Sequence, residues 1–246
     1  MVKKILIIVG TRPNFIKVTR FKELISTYPQ FQVEIVHTGQ HWDRNMSEVF
    51  FEEFGLKPDY MLSASSNSVV DQFSSMMSKL SELILKIGKP DLMIVPGDVN
   101  STLASALVAN KMGIPLAHLE SGLRSFDREM PEEINRRAID AISDVLWAPD
   151  EATAARLRQE GHAAQAVRAV GTAVFAAAET ILAHAASAAD QRLAQVLGAQ
   201  NKADEALKLL EGDADKSFLA TREELKGDLL VQLGRTDEAN TAYQKA

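Results

Sequence analysis

Asp91-Leu-Met-Ile-Val-Pro-Gly97 leads directly into Asp98-Val-Asn-Ser-Thr102, and after an alanine-rich stretch the chain continues as Pro115-Leu-Ala-His-Leu-Glu120. The first segment is an apolar run of strand length, the second turns into a helix, and the third is the next strand. Short apolar strands alternating with helices predict an α/β fold with a parallel sheet. In such a sheet Asp98 and Glu120 leave the same carboxyl edge, where loops and helix N-termini converge and ligands sit. Two acids at that edge suit proton-transfer chemistry. Acids in these positions also cap the segments that follow, and the local pattern leaves both readings open.

The same pattern occurs upstream. Lys3-Lys-Ile-Leu-Ile-Ile-Val-Gly10 is a buried-type strand followed by Thr11-Arg12-Pro13 and a helix that begins near Asn14 and carries Lys17. Gln32-Val-Glu-Ile-Val-His37 is a second strand ending in Thr38-Gly39-Gln40-His41. A strand that runs through a Gly-containing turn into a helix aims free backbone N–H groups outward, which favours phosphate, and Arg12 and Lys17 would add fixed positive charge. Neither turn is a Walker A loop or a Gly-x-Gly-x-x-Gly fingerprint, so no nucleotide cofactor is expected. His37 and His41 lack metal-ligand spacing with any carboxylate pair, so no metal site is expected. Several candidates also have plainer readings: Lys17 as a solvated helix lysine, His118 as a packed core histidine, and Glu133 with Arg136 as an i, i+3 pair.

Taken together, the motifs carry a resemblance. They are Gly10-Thr-Arg-Pro13 with Lys17, His37-Thr-Gly-Gln-His41, Gly97-Asp-Val-Asn-Ser-Thr102, His118-Leu-Glu-Ser-Gly-Leu-Arg124 and Met130-Pro-Glu-Glu-Ile-Asn-Arg136. The set resembles the non-hydrolysing UDP-N-acetylglucosamine 2-epimerases, closely from about Val2 to Asp150 and weakly as far as Gly171-Thr172. Ser121 stands where that family usually has alanine. The resemblance implies a Rossmann-like parallel sheet that is one half of a glycosyltransferase-B-like fold. It also implies inversion at C2 of the sugar by elimination of UDP, formation of a 2-acetamidoglucal and re-addition after a proton returns to the other face. Asp98, Glu120 and Glu132 would then be the acid-base set, with the individual acid and base left open. Arg12, Lys17, Gln40, His41, Gln72 and Arg136 would contact UDP-N-acetylglucosamine or a related UDP-2-acetamido sugar.

Downstream the composition changes. Ala64 is the only alanine in the first hundred residues, yet alanines crowd the stretch from Ala163 to Ala189. The family's second domain, with its His-Arg-x-Glu-Asn segment and Ser-Gly-Gly-rich UDP loop, has no counterpart in these 246 residues. An impaired enzyme is therefore expected, or a non-catalytic chimeric or interaction protein. Ala194-Gln-Val-Leu-Gly-Ala-Gln-Asn-Lys-Ala-Asp-Glu-Ala206 instead repeats as Gly227-Asp-Leu-Leu-Val-Gln-Leu-Gly-Arg-Thr-Asp-Glu-Ala239, close to the ~34-residue period of tetratricopeptide hairpins. Residues 188 to 246 resemble the tetratricopeptide-like ancillary subunit of the SecYEG translocon. Two domains follow: residues 1–180, Rossmann-like, and residues 181–246, an all-helical tetratricopeptide-like appendage.

A net charge of −6 disfavours nucleic-acid and anionic-membrane partners. The absence of cysteine excludes thiolate chemistry and disulfides. No segment has membrane-spanning length, and a cytoplasmic protein is expected. A homodimer, and a protein partner held by the helical tail, are compatible with this reading.

Overall fold

The computed structural model describes residues 2–24, 28–39, 57–64, 68–171, 190, 194–195, 197–199, 201–211 and 219–246. The chain divides into two compact units, Met1–Glu179 and Thr180–Ala246.

In the first unit the order is β1 (Lys3–Val9), α1 (Arg12–Leu24), β2 (Phe31–His37), β3 (Tyr60–Met61), α2 (Val69–Ile87), β4 (Leu92–Pro96), α3 (Asn100–Lys111), β5 (Leu116–Leu119), α4 (Pro131–Ile142), β6 (Val145–Ala148), α5 (Glu151–Gln159) and β7 (Val167–Ala169). The strands form one sheet in the order β3-β2-β1-β4-β5-β6-β7, and every neighbouring pair is parallel. Ile5 through Val9 and Leu92 through Val95 are buried without interruption, as expected for strands covered on both faces. Their alternation divides the core. Leu6, Ile8, Met93 and Val95 pack on one face with Leu80 and Ile84 of α2, Ala106 and Ala109 of α3, and Ile139 of α4. The alanines of α3 bring that helix close to the sheet.

Strand order reverses between β1 and β4, the outgoing chain running from β1 to β2 on one side and from β4 to β5 on the other. Right-handed crossovers place α2, α3 and α4 together on one face, and the reversal leaves a crevice at the carboxyl ends of β1 and β4. Helices α2 and α5 have side-chain caps: Ser68 accepts from the Asp71 N–H at 3.0 Å for α2, and Asp150 accepts from the Thr153 N–H at 2.7 Å for α5. By contrast α3 and α4 begin after Val99 and Met130, whose side chains make no cap bond.

In the second unit every described element is helical, with α6 (Ala203–Leu209), α7 (Leu219–Gln232) and α8 (Thr236–Tyr243). Ala194, Ala203, Ala206, Leu210 and Leu229 form one cluster, and Leu230, Ala239 and Ala242 another. The sequence repeat reappears as repeated bonding, each position 33 residues on. Lys202 N–H donates to Leu197 O and Arg235 N–H to Leu230 O, both at 2.9 Å, while Asn201 N–H reaches Gly198 O and Gly234 N–H reaches Val231 O, both at 3.0 Å. These are paired Schellman closures. Their left-handed residues are Asn201 at φ 59° and Gly234 at φ 72°. In both copies the following residue forms an i, i+3 ion pair, Lys202 with Glu205 and Arg235 with Glu238. Residues 172–189, which include the expected junction, lie outside the described residues.

Candidate active site

The crevice is organised by main-chain turns that side chains hold in place. Asn14, buried in the first turn of α1, accepts the Thr11 N–H at 3.2 Å and the Thr11 hydroxyl at 2.8 Å, and its own amide donates to Pro96 O at 2.9 Å. The Thr102 hydroxyl donates to the same carbonyl at 3.0 Å. The turn after β1 is thus tied to the end of β4 across the point where strand order reverses.

Immediately beyond Pro96, Gly97 has φ 70°, and the space a Cβ would occupy lies 3.2 Å from the Asn14 amide nitrogen, 3.4 Å from Lys17 Nζ and 3.6 Å from Glu120 Oε2. Lys17 forms an ion pair with Glu120, so the first helix reaches across the crevice to the end of β5. Glu120 itself is left-handed at φ 72°. Its N–H and that of Ser121 both donate to Trp147 O, at 2.9 and 3.1 Å, which turns the chain sharply off the sheet. For a residue with a Cβ this conformation costs about 1–2 kcal/mol, and such strain gathers at functional positions.

Asp98 is held from α4. Arg136 Nη2 pairs with Asp98 Oδ2 at 2.8 Å, and Asn135 donates to Asp98 O at 2.9 Å and to Asn100 Oδ1 at 3.2 Å. Glu132 occupies the first turn of α4, with an exposed side chain; its carbonyl accepts from Arg136 Nε at 3.2 Å, one helical turn away. Gln72 lies half-buried in the first turn of α2, its N–H bonded to Ser68 O at 2.9 Å. Arg12 is the first residue of α1. Gln40 and His41 lie outside the described residues.

Asp98, Glu120, Lys17 and Arg136 are therefore brought together at the carboxyl edge as two carboxylate–cation pairs, with Glu132 on the adjoining helix end. Glu133 does not spend its charge on Arg136 alone. Fully buried, its carboxylate accepts the Ser125 N–H at 2.9 Å and the Ser125 hydroxyl at 3.2 Å, with Arg136 at 3.7 Å. Burial pushes its proton affinity up, and these bonds together with Arg136 and Arg124 more than reverse that, leaving the group below its ordinary range.

Beneath the crevice lies a network that local sequence patterns did not single out. His118, fully buried on β5, places Nδ1 2.6 Å from Asp140 Oδ1 and Nε2 2.8 Å from Gly97 O. Asp140 Oδ2 accepts the Gly122 N–H at 3.2 Å and pairs with Arg124 at 2.7 Å, and Arg124 grips Glu160 through Nε at 3.0 Å and Nη2 at 2.5 Å. Burial raises the proton affinity of Asp140, but His118 and Arg124 together hold it below the usual carboxylate range. The available signal was an acid beside Ile139 on the inward stripe of amphipathic α4, a place where carboxylates are rarely found unpaired. On β2, His37 stacks on Phe15 with ring centroids 5.3 Å apart and accepts the Gly39 N–H at 2.9 Å through Nδ1. Burial lowers its pKa to about 4. Among the described residues no group of three His, Asp or Glu side chains is placed to hold a metal ion, and no described helix is long and apolar enough to cross a membrane.

Comparison with known proteins bears on this geometry. The sequence profile of the UDP-N-acetylglucosamine 2-epimerase family matches residues 23–209, a span that continues beyond residue 180. Over 168 residues the chain is 45% identical to the UDP-2,3-diacetamido-2,3-dideoxy-D-glucuronate 2-epimerase of Pseudomonas aeruginosa, covering 68% of this chain and 47% of that protein. Over 172 residues it is 44% identical to the UDP-N-acetylglucosamine 2-epimerase of Methanococcus maripaludis, covering 70% of this chain and 46% of that one. The chain thus spans about half the length of these curated relatives. The crystal structure of the Methanocaldococcus jannaschii UDP-GlcNAc 2-epimerase in complex with UDP-GlcNAc and UDP superposes with TM-score 0.64 and 32% identity, covering 98% of this chain and 69% of that one.

Proposed function

Because the chain belongs to the UDP-N-acetylglucosamine 2-epimerase family, we propose that its first unit carries the acid-base half of a nucleotide-sugar 2-epimerase site, acting on UDP-N-acetylglucosamine or a related UDP-2-acetamido sugar. The observation that carries this reading is the meeting of Lys17–Glu120 and Arg136–Asp98 over the Gly97 turn. Inversion at C2 needs a base to remove the C2 proton, an acid to return one to the opposite face, and positive charge for the departing diphosphate. Asp98, Glu120 and Glu132 supply the carboxyl groups. Lys17 and Arg136 supply cations close enough to move from a carboxylate to a phosphate oxygen, and the uncapped starts of α3 and α4 offer N–H dipoles at the same edge. Arg12, Gln40, His41 and Gln72 complete the proposed nucleotide-sugar contacts.

These 246 residues contain neither UDP-binding motif expected of the second domain, so the chain by itself binds weakly, with a dissociation constant on the order of millimolar, about 4 kcal/mol, and turns over poorly. The test is hydrogen exchange at C2 of UDP-N-acetylglucosamine in deuterated water, with amide shifts followed during the titration. Weak binding that shifts Gly97, Asp98 and Glu120, with exchange at most slow and lowered further by Glu120→Gln, supports the reading. Shifts confined to other faces of the sheet overturn it.

A second reading concerns residues 181–246. The duplicated Schellman closures and ion pairs support a tetratricopeptide-like segment that holds a protein partner in the cytoplasm. Deleting residues 181–246 should then abolish co-purification of that partner and leave nucleotide-sugar binding unchanged.

A further inference from the structure

We propose that His118 is a positioning residue for the catalytic turn: a doubly N–H-donating imidazolium that ties Asp140 on α4 to the Gly97 carbonyl and thereby fixes Asp98 and the peptide beneath Lys17–Glu120. Both ring nitrogens face acceptors, a carboxylate oxygen at 2.6 Å and a carbonyl oxygen at 2.8 Å. A neutral imidazole carries only one N–H, so either tautomer would leave a lone pair opposed to an oxygen inside a fully buried site. The charges agree. Arg124 is divided between Asp140 and the more exposed Glu160, and a protonated His118 sets a second cation beside the almost fully buried Asp140 carboxylate. Arg124 opposes the imidazolium as a like charge, but it bonds the other oxygen of Asp140 and is itself balanced by Glu160.

The consequence for the site is geometric. The Gly97 carbonyl belongs to the peptide that leads into Asp98, and the left-handed turn at Gly97 leaves that carbonyl free of the strand ladder for the ring to bind. Asn14 and Thr102 hold the carbonyl before it, that of Pro96, and Asn135 holds the one after it, that of Asp98. His118 holds the middle one. Three consecutive carbonyls are thereby anchored from α1, β5, α3 and α4, a rigid frame for a carboxylate that must meet C2 within hydrogen-bond reach.

The part of this proposal that concerns turnover rests on Asp98 acting in the epimerase reaction; the rest does not. In the 15N-labelled 246-residue chain at neutral pH, the ring nitrogens of one of the five histidines should both show the protonated pattern, and that signal should vanish in His118→Gln. A one-N–H pattern for His118 overturns the imidazolium. Two further variants separate positioning from packing, because Gln places its amide near the Nε2 position and Asn near Nδ1. His118→Gln should keep the amide shifts of Asp98 and Asn100. His118→Asn should displace them and, where wild-type C2 exchange is measurable, lower its rate with bound sugar about a hundredfold at unchanged binding. Equal spectra for the two variants overturn the positioning role. Sugar-induced shifts confined to other faces of the sheet would count against the functional reading alone, and the spectra of the free protein still decide His118.

Discussion

Glu120 accepts a left-handed backbone that glycine would adopt freely, in order to turn off β5 and meet Lys17. Its ion pair is partly exposed, and such pairs contribute about 0–1 kcal/mol, too little to offset the strain. Glu120→Gly should therefore be more stable to urea than Glu120→Ala by about 1 kcal/mol, and equal midpoints would show that the turn is unstrained. His37 makes a second prediction. Its pKa is lowered from 6.5 to about 4 in the folded protein, so between those values the unfolded chain binds more protons. Its contribution to stability is present above 6.5 and falls away as pH drops toward 4, by on the order of 3 kcal/mol. Asp140 and Glu133, held below their ordinary 3.8 and 4.5, extend the loss to lower pH in the same direction. Urea melts across this range should show the upper step in the wild type and a reduced one in His37→Phe.

Among elements, the caps and closures give the most direct tests. Asp150→Ala removes the side-chain cap at the start of α5 and should cost about 1 kcal/mol in thermal or urea unfolding. In the second unit, Asn201 and Gly234 hold the same left-handed place in the two copies, so Asn201→Gly should stabilise and Gly234→Ala should destabilise, each by about 0.5–1 kcal/mol. Identical melts would break the equivalence of the copies. The elements themselves were largely legible: the apolar runs at Lys3–Gly10, Gln32–His37, Asp91–Gly97 and Pro115–Glu120 became β1, β2, β4 and β5 within a residue or two, and Asp98 and Glu120 emerge at one edge. Helix α1 starts two residues before the expected Asn14, because Thr11 and Asn14 close the turn through side chains. Which cation meets which carboxylate was not legible. Arg136 was paired in sequence with Glu133 at i, i+3, yet Asp98 lies nearer, at 2.8 Å against 3.7 Å, a contact set by tertiary packing of α4 against α3 and β5. The His118–Asp140 bond spans two elements for the same reason and has no local period to announce it.

At the scale of the whole molecule, each unit has a core of its own, and a chain of residues 1–179 is long enough to bury one unaided. That fragment should fold with the strand order of the full protein, shown by retained amide shifts for the Gly97 and Glu120 turns; a molten spectrum would mean that the helices beyond residue 180 are needed. Strand order was beyond local reading, since parallel pairing joins segments far apart in sequence, as β1 with β4. The outermost strands of that order are also the shortest, two residues in β3 and three in β7, against seven in β1 and five in the central β4. An open sheet ends in unpaired N–H and C=O groups that can recruit a strand from another molecule, and a run this brief offers almost no template for it. The sheet's length profile is thus a guard against edge-to-edge aggregation, made by shortening the strands toward its rims.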